Sequence, residues 1–440
     1  MNRIKFFVLA ATILIATIAK AQSKKIEFVE YTLKNGLHVI LHQDNSTPIV
    51  AVSMMYLVGS KNENPDRTGF AHFFEHLLFE GSENISRGEF DKYVEGAGGT
   101  LNANTSNDRT FYYEILPSNQ LELGLWLESE RLMHAKVENV GIETQREVVK
   151  EERRQRIDNQ PYGSLLEEVM KRAFSQHPYR WPVIGSMDHL NAAADEDYVN
   201  FYKTYYVPNN AVLSIAGDID IDDTKDMIKK YFGDIPKGAE IVRPNIVEPP
   251  LAGEIRDTIF DKIQLPAVIQ AYRSPAQGTP DFYAVEMLST LLSQGESSRL
   301  YKKLVDEEQK ALFVGAIPLP LEHPGITLAF GITNMGVDPK EVESSMDAVI
   351  KTVQTELISD KELQKLKNQV ESSFVQANST VAGVAENLAN YHVYFGDAKL
   401  INNEINRYLA VTKEDIRRVA NTYFTPQNRV VLYYLPIRKQ

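Results

Sequence analysis

Apolar side chains recur along this chain in two rhythms. Residues 36–43 and 47–58 alternate apolar and polar positions, as half-buried strands do, and the first run follows the hairpin-turn pair Asn35-Gly36. Residues 118–134 and 360–376 instead repeat apolar positions every three or four residues and read as long helices. The same helical rhythm joins Phe70, Phe73, Phe74, Leu77 and Leu78 and stops at Gly81. It starts after a turn-like Pro65-Asp66-Arg67-Thr68-Gly69, in which Thr68 is placed to cap the helix. Residues 143–154 hold no helix breaker and are rich in helix formers. Strands and helices mixed in this way predict an α+β fold, a mostly antiparallel sheet with helices packed over one face.

At 440 residues the chain exceeds one typical domain, and it repeats itself. Glu196-Asp197 followed by Thr204-Tyr205-Tyr206-Val207-Pro208-Asn209-Asn210 returns as Glu414-Asp415 followed by Thr422-Tyr423-Phe424-Thr425-Pro426-Gln427-Asn428. Leu77-Leu78 and Gly81 return as Leu291-Leu292 and Gly295. Two copies of one fold are the simplest source of such a repeat. Pro236, Pro244, Pro249 and Pro250 punctuate the seam, which gives homologous domains over 22–240 and 255–440 joined by a linker at 241–254.

The segment with most chemistry is His72-Phe73-Phe74-Glu75-His76. Imidazoles at i and i+4 share one face of a helix and can reach a single ion, with a carboxylate between them free to work on its water. This is the inverted H-x-x-E-H order. A catalytic zinc needs a third protein donor, and 143–154 offers two adjacent carboxylates, Glu151 and Glu152. Glu152 shares a helix face with Val148, Val149 and Gln145, whereas Glu151 lines up with Glu147 and Thr144, so Glu152 is the inward one. Its counterpart copy lacks these groups: Glu286, Ser289 and Thr290 stand where His72, Glu75 and His76 stand in the first. His38 and His42 merely share a strand face, and His134, His177, His189, His323 and His392 lack carboxylate spacing and read as structural or exposed.

On these residues the chain resembles the M16 family of zinc metallopeptidases, the pitrilysin, insulinase and mitochondrial-processing-peptidase-like proteins, over its whole length after residue 21. The resemblance implies Zn2+ held by His72, His76 and Glu152, with Glu75 as general base in the hydrolysis of unfolded peptides. It implies that Asn102 and Ala103 lie in an edge strand that pairs with the peptide, a role that the Gly98-Gly99 turn and the β-rich run after it make plausible. Where the family often carries a further glutamate, seven residues before the distal ligand, this chain has Gln145, which can still hydrogen-bond but adds no charge. A second departure concerns the arginine and tyrosine, seven residues apart, that grip the substrate from the second half in many active members. Ser297-Ser298-Arg299-Leu300 is present, but Val305 and Leu312 fall at the two positions. The expected partner is therefore a homologous subunit supplying that pair, in a heterodimer. A non-catalytic scaffold subunit is the rival from another class.

Composition narrows the setting. Arg3 and Lys5 precede an apolar run from Phe6 to Ile18, and Ala19-Lys20-Ala21 fits a signal-peptide cleavage site before Gln22. There are no cysteines, hence no disulfide and no thiolate ligand. A bacterial periplasmic or secreted protein is expected. The formal net charge of −12 argues against nucleic acid and anionic membranes as partners and favours basic peptides.

Overall fold

A computed structural model describes residues 25–243 and 245–437; the leader expected over 1–21 and Pro244 lie outside them. Eleven strands form two sheets: β1 (Val29–Thr32), β2 (His38–Gln43), β3 (Ile49–Tyr56), β4 (Thr100–Thr105), β5 (Thr110–Pro117) and β6 (Ala211–Gly217) in the first half, then β7 (Ile255–Asp261), β8 (Ala267–Ser274), β9 (Ala311–Leu319), β10 (Gly325–Thr333) and β11 (Arg429–Pro436). Their orders are β1-β2-β6-β3-β5-β4 and β7-β11-β8-β10-β9. Apart from the extra β1, the sheets match strand for strand. β2 and β6 pair in parallel, as do β7 and β11, and every other pair is antiparallel. The internal duplication is thus a duplication of topology.

The repeated asparagine shows why that stretch of sequence persists. Asn210 Nδ2 donates to the carbonyls of Tyr205 (2.8 Å) and Leu57 (3.5 Å), and Asn428 Nδ2 donates to those of Tyr423 and Arg273 (2.8 Å each). In each half one amide therefore ties a carbonyl at the end of a helix, Tyr205 or Tyr423, to a carbonyl at or next to a strand, Leu57 or Arg273.

One face of each sheet carries its own helices, as the sequence predicts. The other face is covered by a helix from the opposite half, which the local periodicity gives no sign of. Val384, Ala385, Leu388 and Ala389 of the helix Val381–Phe395 bury against Ile40, Ala51, Met55 and Phe111 of the first sheet. Val169, Met170 and Ala173 of the helix Leu165–Ala173 bury against Ile269, Ala271, Val430 and Leu432 of the second. This exchange makes the two halves one packed body. The tip of the β4–β5 hairpin adds a polar tie: buried Asp108 accepts bonds from Lys61 Nζ (2.9 Å) and the Tyr179 hydroxyl (2.6 Å) on one oxygen, and from the Glu322 backbone N–H (3.0 Å) on the other.

Candidate active site

The helix Phe70–Leu77 is fixed from its apolar side. The Phe70 and Phe73 rings lie 4.6 Å and 4.5 Å from that of Tyr198, and the Phe74 ring lies 5.5 Å from that of Phe201, both partners on the helix Asp195–Tyr205. The Tyr112 hydroxyl donates to the Phe74 carbonyl at 2.8 Å. The helix start differs from the sequence expectation. Thr68 does not cap it; its hydroxyl meets His189 Nδ1 instead. The first helical N–H groups are taken by the buried carboxylate of Glu63, which accepts from Gly69 (2.8 Å) and Ala71 (2.9 Å). Gly69 sits at φ +95 with the Ile184 carbonyl only 2.7 Å from where a Cβ would be, so a side chain there would collide. Nothing local marked Glu63, because its partners lie beyond a turn.

Anchored in this way, the helix turns His72 and His76 toward the helix Asn139–Arg153. Nε2 of His72 lies 3.4 Å, and Nε2 of His76 3.2 Å, from Oε2 of Glu152. Glu151 is exposed and bonds Arg154 and Gln155. The buried stripe that sets this phase is Ile142 and Val149; Val148, which the sequence placed on it, is itself 43% exposed. Glu152 Oε2 is buried and forms no hydrogen bond, so three lone-pair donors converge on one point without satisfying one another. Four-coordinate zinc, with bonds of about 2.0–2.2 Å, sets neighbouring donors roughly 3.3 Å apart, and the observed spacing matches.

The electrostatics suit a cation. Burial, and then the neighbouring His76 ring, hold His72 down at about 4, so it is neutral and its lone pair is free at neutral pH. Burial pushes the Glu152 carboxyl up, but the imidazoles of His76 and His72 and the Arg156 guanidinium outweigh it and leave the group below the usual carboxylate range. Arg156 Nη1 is 2.6 Å from Glu152 Oε1 and fixes the carboxylate from its outer side, a contact that the sequence reading missed although the two residues are i,i+4. Glu75, half-buried on the same helix, is shifted the other way: burial raises it, while the Thr105 hydroxyl and His76 pull back.

Thr105 belongs to β4, which pairs only with β5 and is therefore an edge strand. The Ser106 N–H to Arg109 carbonyl bond (2.9 Å) closes the hairpin and sets its parity. Asn102 and Asn104 then exchange backbone bonds with Tyr113 and Phe111, and the N–H and C=O of Leu101, Ala103 and Thr105 face the open edge. Ala103 is thus the residue of the two whose backbone is turned to the open edge beside the helix. Asn102 points its side chain to the opposite sheet face, with Tyr113, and its Oδ1 accepts the Ala103 N–H at 2.8 Å. Gln145 donates to Glu80 rather than to any of His72, His76 or Glu152. A cavity of about 530 Å3 opens next to His72 and Glu152, walled mainly by apolar groups including Met170, Trp181 and Ile184 of the first half and Leu319, Pro320 and Leu321 of the second.

In the second half Leu312 is 61% exposed on β9, Val305 packs at the core margin, Arg299 is held by Glu362 at 3.0 Å, and Tyr301 packs against the core. His38 and His392, read separately from sequence as structural, stack ring on ring at 3.6 Å, and with Glu30 they form the other cluster of potential donors among the described residues.

Known proteins match this chain along nearly all of it. Residues 38–186 match the insulinase family, peptidase family M16, and residues 195–370 match the peptidase M16 inactive domain. The zinc protease PqqE of Helicobacter pylori is 32% identical over 420 residues, covering 94% of each chain. The uncharacterized zinc protease YmxG of Bacillus subtilis is 23% identical over 403 residues, 91% of this chain and 97% of its own. A crystal structure of a protease from Helicobacter pylori superposes with a TM-score of 0.89 at 30% identity, covering 93% of this chain and all of that one. The periplasmic protease PqqL from Escherichia coli shares the fold, with a TM-score of 0.77 at 19% identity, over 94% of this chain and 48% of its own. With both halves matched and a relative 32% identical over almost the full length, the chain belongs to the M16 family of peptidases.

Proposed function

We propose that this protein is a zinc-dependent endopeptidase that hydrolyses unfolded peptides. The observation that carries the reading is the convergence of His72 Nε2, His76 Nε2 and Glu152 Oε2 on one point, with Glu75 on the same helix and an open strand edge beside it. His72, His76 and Glu152 would hold the ion, which supplies the Lewis acidity that acidifies water and polarises a carbonyl. Glu75 takes the proton of the attacking water on its carboxylate and hands it to the leaving amine. A carboxyl raised by burial is the better suited to give that proton back. Ala103 offers its C=O, and its N–H once Asn102 Oδ1 releases it, to the peptide backbone, so binding tolerates many side chains but requires an extended, unfolded segment. Arg156 holds Glu152 in place, and the apolar cavity between the halves excludes water from the bound peptide.

Three finer points belong to the same reading. The zinc-bearing domain spans 22–240, the linker 241–254 and the second domain 255–440; the matched strand orders support this division. The side chains of Val305 and Leu312 cannot hydrogen-bond a peptide carbonyl, so a homologous subunit supplies the arginine and tyrosine in a heterodimer. A solved M16-like chain about twice as long, of which this one covers 48%, supports such doubling. The basic and apolar start of the sequence supports a mature protein in the periplasm or outside the cell; among the described residues no helix is long and apolar enough to cross a membrane.

The test is Glu75→Gln. The variant should keep about one zinc per chain and lose peptide cleavage by about 10²–10⁴-fold, the scale of general base catalysis. Undiminished cleavage by that variant would overturn the reading. Assay of the chain alone and mixed with a homologous subunit decides the pairing: full activity alone would refute it.

A further inference from the structure

The second half keeps the place of the metal site without its donors. On the helix Pro280–Ser293, Glu286 and Thr290 take the positions of His72 and His76. The helix Asp360–Ala377 packs on it as Asn139–Arg153 packs on the motif helix, and brings Gln369 to the place of Glu152. With Glu404, Tyr391 and Tyr408 these residues line a cavity of about 260 Å3, open to solvent at Gln294 and Ser373.

The wall of this cavity is rich in acceptors. Glu286 takes the Tyr408 hydroxyl, and Glu404, only 8% exposed, takes that of Tyr283 at 3.0 Å. Gln369 Oε1 is buried with no hydrogen-bond partner. Among the described residues that line the cavity none is Lys, Arg or His; Arg407, which is not in its wall, donates to the Tyr283 hydroxyl and interacts electrostatically with Glu404. Burial pushes the Glu286 carboxyl up to about 7, the Tyr408 hydroxyl opposing the shift and Glu404 adding to it. A buried carboxylate, a half-buried one and an unused amide oxygen, with no cation in the wall, form a site that favours a positive charge. The space is smaller than the roughly 300–1,000 Å3 of drug-sized ligand sites and suits a single side chain. It is much larger than a metal ion, and its aromatic walls, Tyr391, Tyr408 and Phe374, would flank an alkyl stem. It also lies next to the catalytic cavity: Pro318 of β9 lines this one and Leu319 the other, adjacent residues on opposite faces of one strand.

We propose that this cavity is a subsite for an organic cation, the ammonium of lysine or the guanidinium of arginine, carried by the peptide that is cut in the first half. The peptide as carrier rests on the peptidase reading above; binding of the cation does not. The first experiment therefore avoids turnover. Glu75→Gln protein is titrated calorimetrically with Nα-acetyl-lysine N-methylamide, with butylguanidine and with the uncharged norleucine analogue. The two cations should bind and the norleucine analogue should not, and adding either Glu286→Gln or the near-isosteric Gln369→Met should weaken cation binding at least about tenfold while thermal unfolding stays in place. In the second experiment wild-type protein cleaves peptides in which one lysine is walked outward from the scissile bond. At one position, lysine should raise kcat/KM over norleucine, and Glu286→Gln should remove that preference without changing cleavage of the norleucine peptide. Absence of cation binding, binding indifferent to both substitutions, or zinc or magnesium bound there in place of the amines would overturn the proposal. Cation binding with no responsive peptide position would overturn the peptide as its source.

Discussion

The two halves of this molecule share five strands in one order, with the same pairing senses and an equivalent anchoring asparagine, and yet only the first brings metal-binding donors together. His72, His76 and Glu152 in one half face Glu286, Thr290 and Gln369 in the other, each set on two packed helices beside an edge strand. In the first half the donors point at one another across 3.2 to 3.4 Å and stay unsatisfied. In the second, Thr290 bonds back to the Glu286 carbonyl, and Glu286 is occupied by Tyr408. The scaffold supplies a position for chemistry, and three side chains decide what kind.

The largest effect expected from breaking this contrast is at His76. His76→Ala should lose the zinc and reduce cleavage to background, whereas Thr290→Ala, at the equivalent place, should leave metal content unchanged. Next comes the choice between adjacent carboxylates. Glu152→Gln should weaken zinc binding by more than about 100-fold, since even groups outside the first sphere cost 10–100-fold. Glu151→Gln, on the exposed face, should leave metal content intact and shift stability by no more than about 0.5 kcal/mol. Metal titration followed by elemental analysis separates the two.

What the halves share can be tested through Asn210→Ala and Asn428→Ala. Each removes two bonds to carbonyls and should cost about 1–3 kcal/mol in denaturant unfolding, with Asn210→Ala at the lower end because Arg243 Nη2 still donates to the Leu57 carbonyl at 2.9 Å. An effect of similar size, but dependent on pH, concerns the tie between them. Glu248 accepts the backbone N–H groups of Ser175 (2.7 Å), Gln176 (2.9 Å) and His177 (2.7 Å), with Arg273 of the second sheet 3.0 Å away. Burial acts to raise its carboxyl, but these bonds bring it from 4.5 down to about 2. A depressed folded-state value gives stability that is complete above pH 4.5 and fades as pH falls toward 2. Glu248→Gln should therefore destabilise by about 2 kcal/mol at pH 7, with the difference from wild type disappearing between pH 4.5 and 2.

The sequence disclosed what depends on short spacing. The motif helix, the i,i+4 histidines, the strands before and after it and the repeated Thr-Tyr-x-x-Pro-x-Asn stretch all encode themselves within a dozen residues. What it hid depends on tertiary approach. The cap from Glu63 crosses a turn, and the covering of each sheet by a helix from the other half has no local trace. The stacking of His38 on His392 spans the chain. Asn102 and Ala103 could be named as an edge strand, but which of them turns its backbone to the open edge followed only from the bond that closes the hairpin at Ser106 and Arg109. Gln369 could not be matched to Glu152 from sequence, since the two helices share no motif.

The most direct measurement of the central claim is an anomalous difference map, recorded at the zinc edge, from crystals of the zinc-loaded protein. The account predicts one strong peak per chain, bonded to Nε2 of His72, Nε2 of His76 and a carboxylate oxygen of Glu152, and none at Glu286 and Gln369. A dominant peak at Glu30, His38 and His392, or no peak between His72, His76 and Glu152, would contradict it.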